Sequence, residues 1–356
     1  MVCGYRQPRR AVGSVEARLA LPARPAMVDR SPTSVTGPSG AFGPVAPADG
    51  RRATPGRRLV VGAVSYLNTR PLVHGLASPT IDLRFDLPSR LADGLAAGRF
   101  DVALIPTIEL FRGIGYTVVS DACIGCRGPV MSVKVFFRTA PERVQTMAID
   151  EGSRTSVALA SILLAERCGV RPRTEILPIG GRVSDTAADA VLVIGDRALG
   201  GHGGPAGDGG SFQLVWDLGD EWCRWTGLPF VFAVWAARPG IDGTALAALE
   251  VALAAARDRG RRALAGIAAT EAAAHGLTVA QCLGYLHDNL HYDLGTRERQ
   301  ALGLFADRAA ALGLAPPVPA VRGPSTGAPA ASGSAAGTAT GGPAGPPAGP
   351  PAGPWR

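Results

Sequence analysis

Polar side chains that could bind or polarise a ligand follow four apolar, strand-like segments of this chain. They occupy residues 65–69, 106–109, 151–156 and 195–196. In an α/β sheet such strand ends meet at one edge, where helix N-termini also offer free N–H groups to anions. The pattern therefore predicts a cleft for a small anionic ligand. By itself it does not separate an enzyme from a binding protein.

The elements that would position these residues alternate between strands and helices, which predicts an α/β fold. The first strands are predicted at 59–67, 84–88 and 100–106, and a helix before the third has Ser89 as its N-cap and Gly98 as its stop. The later predicted elements are strands at 130–138, 146–150, 174–179, 189–196 and 227–238, a helix at 153–169, and Ala-rich helices from Asp242 onward.

Two such units in one chain predict two lobes that hinge around a cleft. Lobe 1 is predicted to comprise 59–138 plus 231–314, and lobe 2 to comprise 139–230. The Gly-rich segment 200–211 is interpreted as a surface insertion. The two ends lie outside this unit: residues 1–58 are predicted to be a disordered basic arm, and 315–356 a disordered tail rich in Pro, Gly and Ala.

The positive charge of the chain is confined to that arm. The formal net charge is +7, and the arm carries many Arg against only Glu16, Asp29 and Asp49, so the remainder is neutral. A nucleic-acid-binding domain needs cations on a folded face, which argues against a nucleic-acid partner. The sequence also lacks the run of about 18 apolar residues that a membrane span needs. The six Cys show no disulfide spacing, so a cytoplasmic location is expected.

Seven segments of the chain resemble one known family, and they occur in that family's order. They are VSYLNTRPL (64–72), FDVALIPTIEL (100–110), RGPVMSVKVF (127–136), DEGSRTSVALASILL (150–164), DAVLVIGDRAL (189–199), WDLGDEWCRWTGLPFVFAVW (216–235) and the segment 285–314. Together they are similar to the chorismate dehydratases of the futalosine route to menaquinone. The resemblance implies a two-lobed fold of the type II periplasmic-binding-protein kind, used for catalysis in the cytoplasm. It also implies loss of water from chorismate to give 3-[(1-carboxyvinyl)oxy]benzoate, with no metal or organic cofactor.

Two other functions stay open on the same scaffold. The related 1,4-dihydroxy-6-naphthoate synthases carry a Ser-Pro-Cys-Pro-Asn-Asp-Thr type motif near their start, where this chain has SYLNT at 65–69. A non-catalytic binding protein for a small anion would be favoured by an export signal. The apolar stretch after Arg10 is broken by Glu16, Arg18 and Arg24, which argues against such a signal.

The resemblance assigns the catalytic contacts to Asn68 and Ser132. Asn68 is expected to polarise the leaving hydroxyl, although an Asn after a strand also serves as a helix N-cap. Ser65 and Thr69 are expected to be its neighbours in the pocket. Ser132 and Thr107 are expected to meet a substrate carboxylate.

The second carboxylate is expected at the start of the helix predicted at 153–169. One of Ser153, Thr155 and Ser156 should cap this helix, and the others, with free N–H groups, should hold the carboxylate. Arg154 either pairs with that carboxylate or lies exposed. Gly195 and Asp196 complete the predicted substrate-binding set.

No side chain in these motifs stands out as a general base, since Glu109 and Asp196 could each be structural. The hypothesis is that the enolpyruvyl carboxylate of chorismate takes the ring proton itself. Metal sites are disfavoured, because Cys123 and Cys126 lack a second Cys pair and because His287 and His291 lack a Glu at the zinc-protease spacing.

Overall fold

A computed structural model describes residues 58–199 and 212–317. The predictions of a disordered arm, a disordered tail and an insertion at 200–211 therefore fall almost entirely outside the described residues.

Eleven strands and seven α-helices make up the described part of the chain. The strands are β1 (Leu59–Val64), β2 (Ile81–Asp86), β3 (Val102–Pro106), β4 (Thr117–Cys126), β5 (Val133–Phe137), β6 (Thr146–Asp150), β7 (Arg173–Leu177), β8 (Ala190–Ile194), β9 (Leu214–Asp217), β10 (Phe230–Ala237) and β11 (His291–Asp293). The helices are α1 (Pro88–Ala96), α2 (Thr155–Cys168), α3 (Leu218–Thr226), α4 (Gly243–Arg262), α5 (Leu264–Glu271), α6 (Val279–Gly284) and α7 (Thr296–Ala311).

The strands form two mixed sheets, one in each lobe. The first has six strands in the order β11-β4-β10-β3-β1-β2, and the second has five in the order β7-β6-β8-β5-β9. In each sheet a parallel core, β3-β1-β2 or β8-β6-β7, is flanked by antiparallel strands. The carboxyl ends of β1, β3, β6 and β8 lead into the polar residues between the lobes, as expected for an α/β cleft.

The chain crosses between the sheets twice, and the first crossing precedes the predicted position. Strand β5 pairs with β8 and β9, so it belongs to the second sheet. The crossing therefore lies in residues 127–132, and the predicted end of lobe 1 at residue 138 is wrong by one strand. The physical reason is that 130–138 is an apolar run that either sheet could bury. The return crossing lies at 227–229, close to the predicted one.

Three short 3-10 helices follow β1, β3 and β8 directly. The chain forms 3-10 helices at Leu67–Val73, Thr107–Arg112 and Gly195–Leu199. Helix α1 begins at Pro88, with Leu87 in the N-cap position, so the prediction of Ser89 as the cap is wrong. Proline is well suited to the first turn because it lacks an N–H, and this sets the N-cap two residues earlier than predicted. Gly98 lies just past the helix in the left-handed conformation, as predicted.

Candidate functional site

A small cavity of about 60 Å³ lies between the two sheets. Its apolar wall includes Val64, Ile124, Ile194 and Phe232, which suits a carbon ring. Its polar lining consists of Tyr66, Asn68, Ser132, Ser153, Arg154, Thr155 and Ser156. Among the described residues, no Asp or Glu lines this cavity, so its only charged side chain is a cation. The cavity therefore favours an anion with a ring.

Asn68 lies buried in the 3-10 helix after β1 and lines the cavity. Its Oδ1 accepts a hydrogen bond of 3.2 Å from the hydroxyl of Thr69, which is fully buried and does not line the cavity. Because Oδ1 is engaged in this way, the Nδ2 group remains the donor that Asn68 can offer. The structure does not support an N-cap role, since Tyr66 occupies the N-cap position of this helix.

Ser132 is the last residue of the first crossing between the sheets, just before β5, and it lines the cavity. Its carbonyl accepts a hydrogen bond of 2.8 Å from Gly195 N. Met131, directly before it, has φ +60, the one non-glycine residue with positive φ in the described part of the chain. Asp217 holds this turn, because its carboxylate accepts from Val130 N at 2.9 Å and Met131 N at 2.7 Å.

The start of α2 supplies four consecutive lining residues, from Ser153 to Ser156. The prediction that one of their hydroxyls caps the helix is wrong, because Arg154 takes the N-cap position and makes no side-chain cap. Thr155 Oγ1 instead accepts a hydrogen bond of 3.2 Å from Ile108 N, across the cleft. The remaining hydroxyls and the first N–H groups of the helix are left for a ligand.

Arg154 is paired and is not left exposed. Its guanidinium lies 2.7 Å from Asp93 Oδ1 and 3.3 Å from Glu109 Oε1. Glu109 is buried, and its second oxygen lies 3.3 Å from Arg112 Nε. Glu109 is thus held between two cations outside the cavity, which fits a structural carboxylate.

Gly195 and Gly152 lie against Tyr66, which reaches across from the other lobe. A Cβ on Gly195 would lie 2.7 Å from the Tyr66 ring, and one on Gly152 would lie 3.1 Å from the Tyr66 hydroxyl. Gly195 also has φ +62. The contact between the lobes therefore depends on glycine at these positions.

Asp196 joins the lobes but does not line the cavity. Its Oδ1 accepts from Leu67 N at 3.1 Å, and its Oδ2 lies 3.2 Å from His275 Nδ1. Burial raises the pKa of Asp196, and the Leu67 N–H and His275 oppose this rise. Ser65 is exposed, and only its backbone N–H is engaged, with the Asp86 carbonyl. The structure therefore does not bring these two predicted residues to the cavity.

Several buried hydroxyls in and around the cavity have no hydrogen-bond partner. They are those of Tyr66, Thr107 and Ser153. Leaving a buried polar group unpaired costs about 1–3 kcal/mol, so a cluster of them indicates a place for a polar ligand. Thr107 itself is fully buried beside the lining residue Pro106.

Sequence analysis did not single out Tyr66 and Tyr285. Tyr285 opens a π-helical turn at Tyr285–Asn289 and is fully buried. Burial raises its pKa, and the side chains of Ser132 and Asn68 beside its hydroxyl partly oppose this rise. A tyrosine in an apolar sequence context predicts core packing. The one available signal was the position of Tyr66 inside the SYLNT motif.

The residues considered for metal binding lie apart from the cavity. Cys123 and Cys126 are buried in β4. His287 is paired with Asp288 at 2.7 Å, and His291 lies 3.5 Å from Glu298. Over the two described ranges, no group of three or more His, Cys, Asp and Glu side chains is arranged to hold a metal ion. In the same ranges no helix is long and apolar enough to cross a membrane.

Comparison with known proteins places this chain in a family. A model of the menaquinone biosynthesis family matches residues 59–311. The chain belongs to this family. A curated chorismate dehydratase of Thermus thermophilus is 33% identical to the chain over 270 residues, which cover 72% of the chain and 96% of that protein. The family identified by resemblance is therefore confirmed.

Solved structures show the same fold at low sequence identity. A protein of Archaeoglobus fulgidus is 16% identical, with a TM-score of 0.59, and the match covers 73% of this chain and all of that one. The alkanesulfonate-binding protein of Xanthomonas axonopodis pv. citri, solved with bound MOPS, is 16% identical, with a TM-score of 0.51 over 74% and 96% of the two chains. These matches and the two sheets confirm the predicted α/β fold of the periplasmic-binding-protein kind.

Proposed function

We propose that this menaquinone-family protein is a chorismate dehydratase. The observation that carries the proposal is a cavity with an apolar wall that is lined by hydrogen-bond donors and by Arg154, with no lining carboxylate among the described residues. Chorismate has a six-membered ring, two carboxylates and a hydroxyl that must leave. The name of the Thermus thermophilus relative supports the same substrate.

The elimination removes a ring proton and the neighbouring hydroxyl and gives one water and an aromatic ring. Aromatisation supplies a large driving force, so the protein's task is to orient the substrate and to stabilise the departing oxygen. Asn68 takes the second task, because its Nδ2 group can donate to the leaving hydroxyl. Ser132 and Thr107 hold the first carboxylate, and the start of α2 holds the other.

The ring proton goes to the enolpyruvyl carboxylate of the substrate. This assignment is supported by the positions of Glu109 and Asp196, the two candidate bases of the protein, because neither lines the cavity. Glu109 is held by Arg154 and Arg112, and Asp196 by Leu67 N and His275. A general base must lie within hydrogen-bond reach of the proton that it removes, and neither carboxylate lines the cavity that would hold the substrate.

The proposal extends to the setting of the reaction. The enzyme works in the cytoplasm on a small-molecule substrate, without a nucleic-acid partner and without a metal or organic cofactor. We place lobe 1 at 59–132 plus 230–314 and lobe 2 at 133–229, and we place the arm and the tail outside the catalytic unit. The neutral charge of the chain after residue 58 supports the absence of a nucleic-acid partner.

The test is to incubate the purified full-length protein with chorismate and to follow products by chromatography and mass spectrometry. Loss of one water with a new aromatic absorbance is the expected result. Unchanged chorismate that nevertheless raises the melting temperature would identify a binding protein instead. Unchanged chorismate without a thermal shift would point to another anionic substrate, such as that of a naphthoate-synthase-like lyase.

A further inference from the structure

Tyr66 stands out among the cavity residues because it belongs to one lobe and packs on the other. It lies between β1 and the Leu67–Val73 helix. Its ring contacts Gly195 and its hydroxyl approaches Gly152, both of which are in the second lobe. Tyr66 therefore takes this position only when the cleft is closed.

The hydroxyl of Tyr66 is buried and has no hydrogen-bond partner. Ser153, the residue after Gly152, is in the same state: it is 9% exposed, lines the cavity, and its Oγ is unpartnered. Two residues with unpaired hydroxyls, one from each lobe, thus line the cavity near the start of α2. Such a pair is costly in an empty cavity and favourable when both donate to one acceptor.

The charges around this position leave both hydroxyls as donors. Asp150, behind Gly152, is already engaged: its Oδ1 accepts from Gly152 N at 3.0 Å, and its Oδ2 lies 3.1 Å from Arg197 Nη1. Burial, with Asp150 and Asp196 nearby, raises the pKa of Tyr66. The phenol is therefore protonated at neutral pH and donates a hydrogen bond rather than accepting a proton.

We propose that the Tyr66 and Ser153 hydroxyls donate to the same carboxylate of the substrate, one from each lobe, so that this carboxylate holds the cleft closed. The inference rests on the proposed function for the identity of the substrate. It assigns to Tyr66 a substrate-binding role and links binding to closure. The ligand contact is made in the ground state and in the transition state alike, so its loss should act mainly on binding.

The experiment uses the full-length protein and the variants Tyr66→Phe, Ser153→Ala, the double variant, and Tyr116→Phe. Tyr116 is a half-buried tyrosine outside the cavity and serves as the matched control. Chorismate binding is measured by titration calorimetry, and turnover is measured separately by product detection. Melting temperatures of the ligand-free proteins report folding.

We expect Tyr66→Phe and Ser153→Ala each to weaken chorismate binding about tenfold or more, as a lost hydrogen bond to a charged group does. The double variant should lose less than the product of the two effects, because both donors serve one carboxylate. Tyr66→Phe should keep or raise the melting temperature of the free protein, since it removes an unpaired buried hydroxyl. A merely structural tyrosine would lower it.

Different outcomes separate this inference from the proposed function. If the wild type turns chorismate over and Tyr66→Phe binds it as tightly as Tyr116→Phe does, only the role of Tyr66 is overturned. If the wild type binds chorismate without product and Tyr66→Phe binds weakly, only the dehydratase activity is overturned. A wild type that neither binds nor converts chorismate overturns both.

Discussion

Asn68 is the residue on which the proposed chemistry depends most directly. Asn68→Ala should lower kcat/KM for chorismate by about a hundredfold or more, as the loss of one donor to a developing oxyanion does. Thr69→Val removes only the hydroxyl that donates to Asn68 Oδ1, so its effect should be smaller. Steady-state kinetics on both variants checks this. Turnover by Asn68→Ala within about threefold of wild type would contradict the assigned role.

Gly195 is the residue that lets Tyr66 close the cleft. Gly195→Ala introduces a Cβ at 2.7 Å from the Tyr66 ring and strains a φ of +62. Gly169→Ala is the matched control, because Gly169 has φ +71 and nothing within 4 Å of its Cβ position. Both variants should lose about 1–3 kcal/mol of unfolding free energy, measured by urea titration. Only Gly195→Ala should also lose chorismate turnover. Equal turnover by the two variants would contradict the idea that the cleft closes by packing Tyr66 on Gly195.

The positions of single residues were partly predictable from sequence. Asn68, Ser132 and Ser153 to Ser156 line the cavity, because strand and helix ends have a predictable place in an α/β fold. Ser65 and Asp196 share those strand ends but do not line the cavity. Which side of a short 3-10 helix faces the cleft depends on its packing, and the local sequence does not specify it.

Among the elements, α3 and the first crossing are joined by one side chain. Asp217 caps α3 by accepting from Gly219 N and Asp220 N, and it also accepts from Val130 N and Met131 N. Burial raises its pKa, and the N–H groups that it binds oppose the rise. A single carboxylate therefore positions the turn that carries Ser132.

Asp217→Ala should lower the free energy of unfolding by about 2–4 kcal/mol, because four backbone donors lose their acceptor. Asp242→Ala is the control, since Asp242 caps α4 by accepting from Ala245 N alone; its cost should be about 1 kcal/mol. Urea unfolding of both variants measures the difference. Equal losses would show that the contacts to the crossing add no stability.

Strand β4 is the longest of the three strands that were not predicted from the sequence; the other two are β9 and β11. Its sequence, TVVSDACIGC, places Ser120, Asp121 and Gly125 within the strand. Its pairing with β10 contains two register shifts. The second shift sets residues 119–122 of β4 opposite Trp235 alone, so β4 bulges there and the alternation of apolar and polar residues that marks a strand is interrupted.

At the scale of the whole molecule, carboxyls whose pKa changes on folding make stability depend on pH. Burial raises the pKa of Asp150, and Arg197 and the N–H groups that it binds only partly oppose this. The pKa of Asp189 is lowered, mainly by the hydrogen bond from Gln145 N. These two carboxyls therefore have opposite effects on the pH dependence of unfolding.

Because the pKa of Asp150 is raised in the folded state, this residue contributes stability that is fully present below the unfolded pKa of about 3.9. That stability is lost as pH rises through the folded pKa. The unfolding free energy of the wild type, relative to that of Asp150→Asn, should therefore fall as pH rises from about 4. The lowered pKa of Asp189 contributes stability that is present above the unfolded pKa, so the unfolding free energy relative to Asp189→Asn should instead rise as pH rises toward about 4 and level off above it. Urea titrations at several pH values measure both slopes, and slopes of the same sign would refute the assignment.

The sequence by itself determined the α/β class, the order of most strands, the family and the segments that supply the site. These follow from local hydrophobic patterns and from motif residues whose spacing is contained within short stretches. Only the tertiary structure decided that β5 belongs to the second sheet, that Glu109 and Asp196 are occupied outside the cavity, and that Tyr66 lies on Gly152 and Gly195. Those features join residues that are tens to more than a hundred positions apart, and they arise from packing between lobes that no local pattern records.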